Sequence, residues 1–216
     1  MILLLNALQV RYFDIKISSE GDLFYETIKW NILKTLNNKP LIISDLILDS
    51  REYYTNLSRS VDVNHQGNNT GKVCENNYMY SYIRLWLNKT FYETAFNSLE
   101  QQIIETTTVN NSANTTISES NLYVCGNTDD KLFLLSYKEA ITYYPSANER
   151  VALSSDYAKS QGVFTYTDNG NSSYCLRSPS DGAHHLVNVV DYDGEIKHSS
   201  VGRNRKGVRL ACWINL

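Results

Sequence analysis

Apolar positions recur at two different periods along this chain, and the places where one gives way to the other set the predicted order of elements. After the apolar opening MILLLNALQV, the segment 10–17 (VRYFDIKI) alternates in part and predicts a first strand. In TIKWNIL, 27–33, Ile28, Trp30 and Ile32 share one face at period two. Asn37, Asn38 and Pro40 then mark a turn, and LIISDLIL, 41–48, reads as a strongly apolar strand. Two such runs across a short polar turn predict a hairpin. Residues 55–77 are polar and contain HQGNNTG, a loop by composition.

The period then changes. In SYIRLWLNKTFYETAFNSL, 81–99, Ile83, Trp86, Leu87, Phe91, Ala95, Phe96 and Leu99 recur every three or four residues, which predicts one amphipathic helix or two short ones. Ser98 with Gln101 has the spacing of a capping box that restarts the chain as a further short helix. The stretch 106–130 is dominated by Ser, Thr and Asn and is expected to be an irregular excursion. KLFLLS, 131–136, predicts a buried strand; Ser136 with Glu139 then signals a helix start, and Pro145 its end. A single helical turn is expected at 155–159. Beyond it the pattern is all strand: YCLRS, LVNVVDYDGEIKHS turning at Asp193–Gly194, and GVRLACWINL. In the last, Val208, Leu210, Cys212 and Ile214 share one face, and Arg209, Ala211, Trp213 and Asn215 the other. The fold class expected is α+β, a mixed, mostly antiparallel sheet with two principal helices and long loops, in one domain over 1–216.

Composition narrows the class without reaching an activity. The 216 residues are 42% apolar and 20% charged, with ten Gly and three Pro, which excludes collagen-like, coiled-coil and wholly disordered chains. A net charge of −3 does not suit a phosphate-binding surface, and the Arg203, Arg205, Lys206, Arg209 group is expected to be a solvated turn, so no nucleic-acid partner is anticipated. The apolar opening has neither a basic flank nor a small-residue cleavage site, so it predicts neither a signal peptide nor membrane insertion. Cys74, Cys125, Cys175 and Cys212 contain no CxxC pair, against a zinc knuckle, and allow three disulfide pairings or buried free thiols.

Several motifs together resemble a bacterial and phage family of domains of unknown function (number 6273), whose members often occur in surface or secreted proteins of gut Firmicutes. The matching pieces are IKWNIL, LIISDLILDSREYY, SYIRLWLNKTFYETAFNSLEQQII, TDDKLFLLSYKEAITYY, RVALSSDYA, YCLRSP and GVRLACWINL, in an order that covers nearly the whole chain. The resemblance implies a C-type-lectin-like fold, whose relatives include sugar-binding lectins, formylglycine-generating enzymes, adhesin tips and phage receptor-binding proteins. It implies an extracellular or cell-surface location. Where the family usually has an aromatic pair before LRSP, this chain has Tyr174–Cys175; where it usually has Pro and Leu before the final Trp, Leu210, Ala211 and Cys212 stand here. Set against that family pattern, Cys175 with Cys212 is the first disulfide candidate, and Cys74 with Cys125 the remaining pair.

No cofactor is expected. The lectin calcium motifs are absent, leaving Asp181, Asp191, Asp193 and Glu195 as loop carboxylates; a metal site from His184 or His185 with His198 and Asp191 would need the backbone to bend. No GxSxG elbow is present, the cysteine pair of formylglycine-generating enzymes is missing, and Asp129–Asp130 reads as a solvated approach to a strand, so no catalytic residue is nominated. Arg84, Arg177 and Arg209 lie within apolar motifs, where a five-donor guanidinium can tie loop carbonyls or a carboxylate at one internal point. Trp30, Trp86 and Trp213 are expected in the core. Sixteen tyrosines among loop Asn and Ser suit a recognition surface. The function expected is noncatalytic binding of a glycan or a host or bacterial surface protein in adhesion, through Tyr166, Asn188, Tyr192, His198, Arg203 and Arg205 on the polar connections of 161–206. The alternatives are a structural assembly module and an enzyme of the formylglycine-generating type.

Overall fold

The computed structural model describes residues 13–19, 22–55, 74–203 and 206–215. Among the described residues thirteen strands carry the fold: β1 (Phe13–Ser19), β2 (Asp22–Ile28), β3 (Trp30–Leu36), β4 (Lys39–Ser44), β5 (Asp49–Ser50), β6 (Thr107–Val109), β7 (Thr128–Asp130), β8 (Phe133–Leu134), β9 (Tyr174–Pro179), β10 (Leu186–Val190), β11 (Ile196–Ser200), β12 (Gly207–Val208) and β13 (Leu210–Trp213). Short helices fall between them: α1 (Tyr82–Trp86), α2 (Tyr92–Ala95), α3 (Ser98–Ile103), α4 (Tyr137–Tyr143), α5 (Ala147–Arg150) and α6 (Asp156–Ser160). This is an α+β fold whose sheets are mixed and mostly antiparallel.

Two sheets organise it. One runs β11-β10-β9-β12-β5, with β12 antiparallel to β5 and parallel to β9; the other runs β3-β4-β13-β8, antiparallel throughout. The hairpin anticipated around Asn37 and Asn38 is β3–β4, and both asparagines sit at positive φ, 50° and 63°, as a tight two-residue turn of this hand requires. The expected strand at 10–17 falls partly outside the described residues; β1 pairs only with β2, so β3–β4 is the hairpin that meets the late strand β13.

The alternation read in GVRLACWINL matches two apolar clusters. Val208, Leu210, Cys212 and Ile214 enter one with Trp30, Ile42, Ile83, Trp86, Leu134, Cys175 and Val189. Ala211 enters the other with Ile43, Phe133, Tyr174 and Leu176, against which Trp213 packs half-buried. The expected single strand is nevertheless cut at Arg209, and LIISDLIL is cut after Ser44, because each segment crosses from one sheet to the other.

Three further elements differ from the pattern. The amphipathic segment expected over 81–99 forms α1 and α2 joined by a π-helical stretch, Leu87–Phe91, before α3 begins at Ser98. Asn88 in that stretch accepts from Lys131 N (2.8 Å) and Leu132 N (3.1 Å) and donates to Leu132 O (2.8 Å), so the widened turn stitches the helix to the loop before β8. The box expected at Ser98 forms one residue earlier, with Asn97 as cap and Glu100 reaching back. The excursion 106–130 is bounded by the β6–β7 ribbon, and KLFLLS holds only the two-residue β8.

Candidate functional site

An open cleft of about 510 Å³ is lined by Phe164, Ser173, Asp191, Tyr192, Gly202, Arg203 and Lys206. Three connections build it: the loop after α6, the turn between β10 and β11, and the loop after β11. The β10–β11 turn closes by Gly194 N donating to Asp191 O (2.9 Å) and Asp193 Oδ1 accepting from Glu195 N (3.0 Å), with Gly194 at φ +79°. In the loop after α6, Tyr166 N donates to Asn171 O (2.8 Å) and Gly170 N to Tyr166 O (2.9 Å). Asn171 Nδ2 then donates to Tyr192 O (3.2 Å), tying this loop to the turn, and the Tyr166 and Tyr192 rings stack at 4.2 Å and 12°.

The charges in the cleft are unequally matched. Asp191 accepts from the Ser173 hydroxyl, meets Lys197 Nζ at 3.0 Å and has Lys206 Nζ at 4.0 Å. Burial opposes its ionisation, but the Ser173 and Lys197 hydrogen bonds outweigh that and hold its carboxyl below the usual range. Asp193 also pairs with Lys197, at 2.7 Å. Arg203 is exposed and makes no ion pair among the described residues. A carboxylate already engaged by cations is poorly placed to take a proton from a substrate, whereas a cation beside exposed aromatic surface is well placed to hold a ligand.

Of the residues expected to bind, Tyr192 and Arg203 line the cleft, and Tyr166 stacks on Tyr192 without lining it. Asn188 is buried in β10 and donates to Pro179 O (3.2 Å), and His198, its register partner, is exposed on the edge strand β11; neither lines the cleft. Arg205 lies outside the described residues. Phe164, Ser173, Asp191 and Lys206 also line the cleft, which residue type alone did not signal. His184 and His185 pack edge to face at 4.9 Å, and among the described residues no group of three or more His, Cys, Asp or Glu could hold a metal ion.

The three arginines expected as internal ties occupy such places. Arg84 donates to Asp130 Oδ1 (2.7 Å) and Met79 O (2.8 Å). Arg177 donates to Leu134 O (2.7 Å), Asn110 O (3.1 Å), Asn111 Oδ1 (3.2 Å) and the Glu139 carboxylate. Arg209 donates to Ser44 O (3.0 Å) and lies over the rings of Tyr144 (5.2 Å) and Tyr174 (5.3 Å). A fourth went unread: Arg150, buried, donates to Gly194 O (2.8 Å) and Tyr144 O (2.8 Å), and so braces the β10–β11 turn from α5. Trp30 and Trp86 are buried, and Trp213 is half-buried with Lys34 Nζ 5.3 Å from its ring.

Burial raises the Glu139 carboxyl, but Arg177's charge and hydrogen bond and the Ser136 cap reverse this, leaving it below the ordinary value. A depressed folded pKa contributes stability above the unfolded value, about 4.3, that is lost as pH falls through the folded one. The stability difference between the native chain and Glu139→Gln is therefore expected to shrink as pH drops from about 5 to about 3 in urea titrations; a gap constant across that window would deny the coupling.

Neither disulfide pairing is formed. Cys175 lies on β9 of one sheet and Cys212 on β13 of the other, and Cys125, Cys175 and Cys212 are free thiols. Burial pushes the Cys175 thiol up to about 12 and raises Cys212 further, as for inert core cysteines. No helix among the described residues is long and apolar enough to cross a membrane.

Fold and cleft together define an α+β domain with a loop-built, aromatic and cationic cleft set on a scaffold tied by internal arginines. The family model for domain of unknown function DUF6273 matches residues 37–216, and the chain belongs to that family. No curated protein and no solved structure matches the chain.

Proposed function

We propose that the chain is a single, noncatalytic recognition domain of C-type-lectin-like type, acting outside the cell or at its surface, that binds a glycan or surface protein in the cleft between 164 and 206. The observation that carries this reading is that Phe164, Tyr192 and Arg203 from three separate connections line one cleft, with Tyr166 stacked on Tyr192 beside it. Support for the fold comes from a β3–β4 hairpin joined to a late strand, helices between them, and a strand-rich second half. Support for binding rather than turnover comes from the engagement of Asp191 by Ser173, Lys197 and Lys206, which leaves the cleft without a poised base.

The test is a glycan and surface-protein binding screen on the full chain, followed by Tyr192→Ala and Arg203→Ala. Each change is expected to weaken the captured ligand at least tenfold and to leave the far-ultraviolet spectrum unchanged. Specific binding that survives both changes would move the site elsewhere, and turnover of a bound substrate would end the noncatalytic assignment.

A further inference from the structure

A second open cleft, of about 580 Å³, lies on the other side of the Tyr166–Tyr192 pair and is lined by Leu46, Leu153, Ser154, Lys159, Thr165, Tyr166, Thr167 and Gly170. The loop after α6 forms a wall of both clefts: Phe164 faces the first, and Thr165 and Tyr166 the second. Tyr192 has its ring occupied, by Tyr166 and by Lys197 Nζ at 5.5 Å from its centroid. Tyr166 carries no second ring or cation among the described residues, and it is the member of the pair that opens onto the second cleft. Tyr192 is thus the backing of a platform, and Tyr166 its working face.

Charge and shape then select a ligand. In the second cleft Lys159 is matched by Asp156 at 2.8 Å, and in the first Lys197 and Lys206 are matched by Asp191 and Asp193. Among the described residues lining the clefts, Arg203 is the cation without an ion pair. Both clefts are open and shallow, with exposed apolar surface at Leu153 and Phe164, 50% and 46% exposed, rather than an enclosed apolar hole. A ring with an apolar CH face and a hydroxylated edge fits such a ridge, since tyrosine offers a flat apolar body. An anionic substituent fits the unmatched guanidinium, which can grip a carboxylate or sulfate with two parallel donors.

We propose that the two clefts are one binding groove for an acidic oligosaccharide, with successive sugars on either side of the tyrosine ridge, Tyr166 stacking one sugar and Arg203 holding a carboxylate or sulfate. This rests on the recognition reading above and narrows it to a ligand class and a minimum length of two sugars. A long ligand engages both clefts at once, so its affinity exceeds that of a single sugar by the contribution of the second contact.

The experiment is calorimetric titration of the full chain with oligogalacturonates, hyaluronan fragments and chondroitin sulfate fragments of one to six sugars. Methyl-esterified oligogalacturonates and cello-oligosaccharides serve as neutral controls. At least one acidic series is expected to bind, with affinity rising at least tenfold from monosaccharide to tetrasaccharide. Arg203→Gln is expected to weaken all lengths about tenfold. Tyr166→Ala removes the gain with length, and Tyr166→Phe, which keeps the ring, preserves it. Absence of binding by all three acidic series overturns the proposal, as does affinity independent of length, or neutral sugars binding as tightly with Arg203→Gln unaffected. Capture of a protein or neutral glycan that Tyr192→Ala abolishes would overturn this proposal alone and leave the recognition reading standing; loss of neither in any cleft variant would overturn both.

Discussion

Replacing Arg177 by methionine is expected to lower the unfolding free energy by about 3–5 kcal/mol, a large part of the roughly 5–15 kcal/mol that holds an ordinary domain folded. The side chain is only 2% exposed, and its nitrogens donate to two backbone carbonyls, one amide oxygen and one carboxylate drawn from three separate parts of the chain. Methionine fills much of the volume but leaves the Glu139 carboxylate without its counter-charge and takes from the carbonyls of Asn110 and Leu134 the donors that Arg177 supplies. Lysine is not a rescue, because one ammonium on a flexible stem cannot reproduce a planar fork that points several ways. Adding Glu139→Gln to Arg177→Met is expected to recover part of the loss, since it removes the stranded charge. Urea unfolding of the four chains reads the cycle; an Arg177→Met chain within about 1 kcal/mol of the native one would show that the buried guanidinium contributes little.

Gly194→Ala should be nearly as damaging and should act on the cleft as well. A Cβ at this position would stand 1.8 Å from Ala147 O and 2.5 Å from Ala147 C, backbone atoms of α5 that cannot rotate away. The residue is also at φ +79°, where an L side chain is strained. Strain and forced displacement together are expected to cost about 3 kcal/mol, or on the order of 10 °C in Tm for a chain of this size. Gly162 separates the two causes, because it has φ +86° and nothing within 4 Å of the added carbon; Gly162→Ala should cost only about 1 kcal/mol. The turn that Gly194 closes presents Asp191 and Tyr192, so Gly194→Ala is also expected to weaken ligand capture, and Gly162→Ala to spare it. Equal losses at both glycines would mean that the contact with α5 plays no part.

The sequence carried most of what depends on neighbouring residues. Ser136 and Glu139 announced α4, Asn37 and Asn38 the β3–β4 turn, and Asp193–Gly194 the β10–β11 turn, since each signal is a local demand on backbone angles or end groups. What it did not carry was long-range pairing. Nothing local marks Arg209 as a point where the chain changes sheets, because its neighbours keep the alternation on both sides. The same reason hid β6–β7, a ribbon whose strands are three residues each in a polar stretch. Around the cleft, residue type pointed to Tyr192 and Arg203 in its lining and to Tyr166 stacked beside it. It also pointed to Asn188, which a strand buries against Pro179 O, and it passed over Phe164 and Lys206, whose relevance depends on which loops meet.

Residues 207–213 bear on how this chain reaches its fold. Among the described residues β12 joins β9 to β5 and β13 joins β4 to β8, so each sheet lacks an interior member until that stretch exists. On a ribosome, the β3–β4 hairpin is made long before the strand β13 that links it onward, and meanwhile it presents an open edge to any chaperone or neighbouring nascent chain. Assembly therefore waits for a late zipping step across a sequence separation of more than 150 residues, as between Ile43 and Ala211. Non-local pairing of that reach slows folding, so completing the fold is a race between the arrival of one short segment and the capture of unfinished edges.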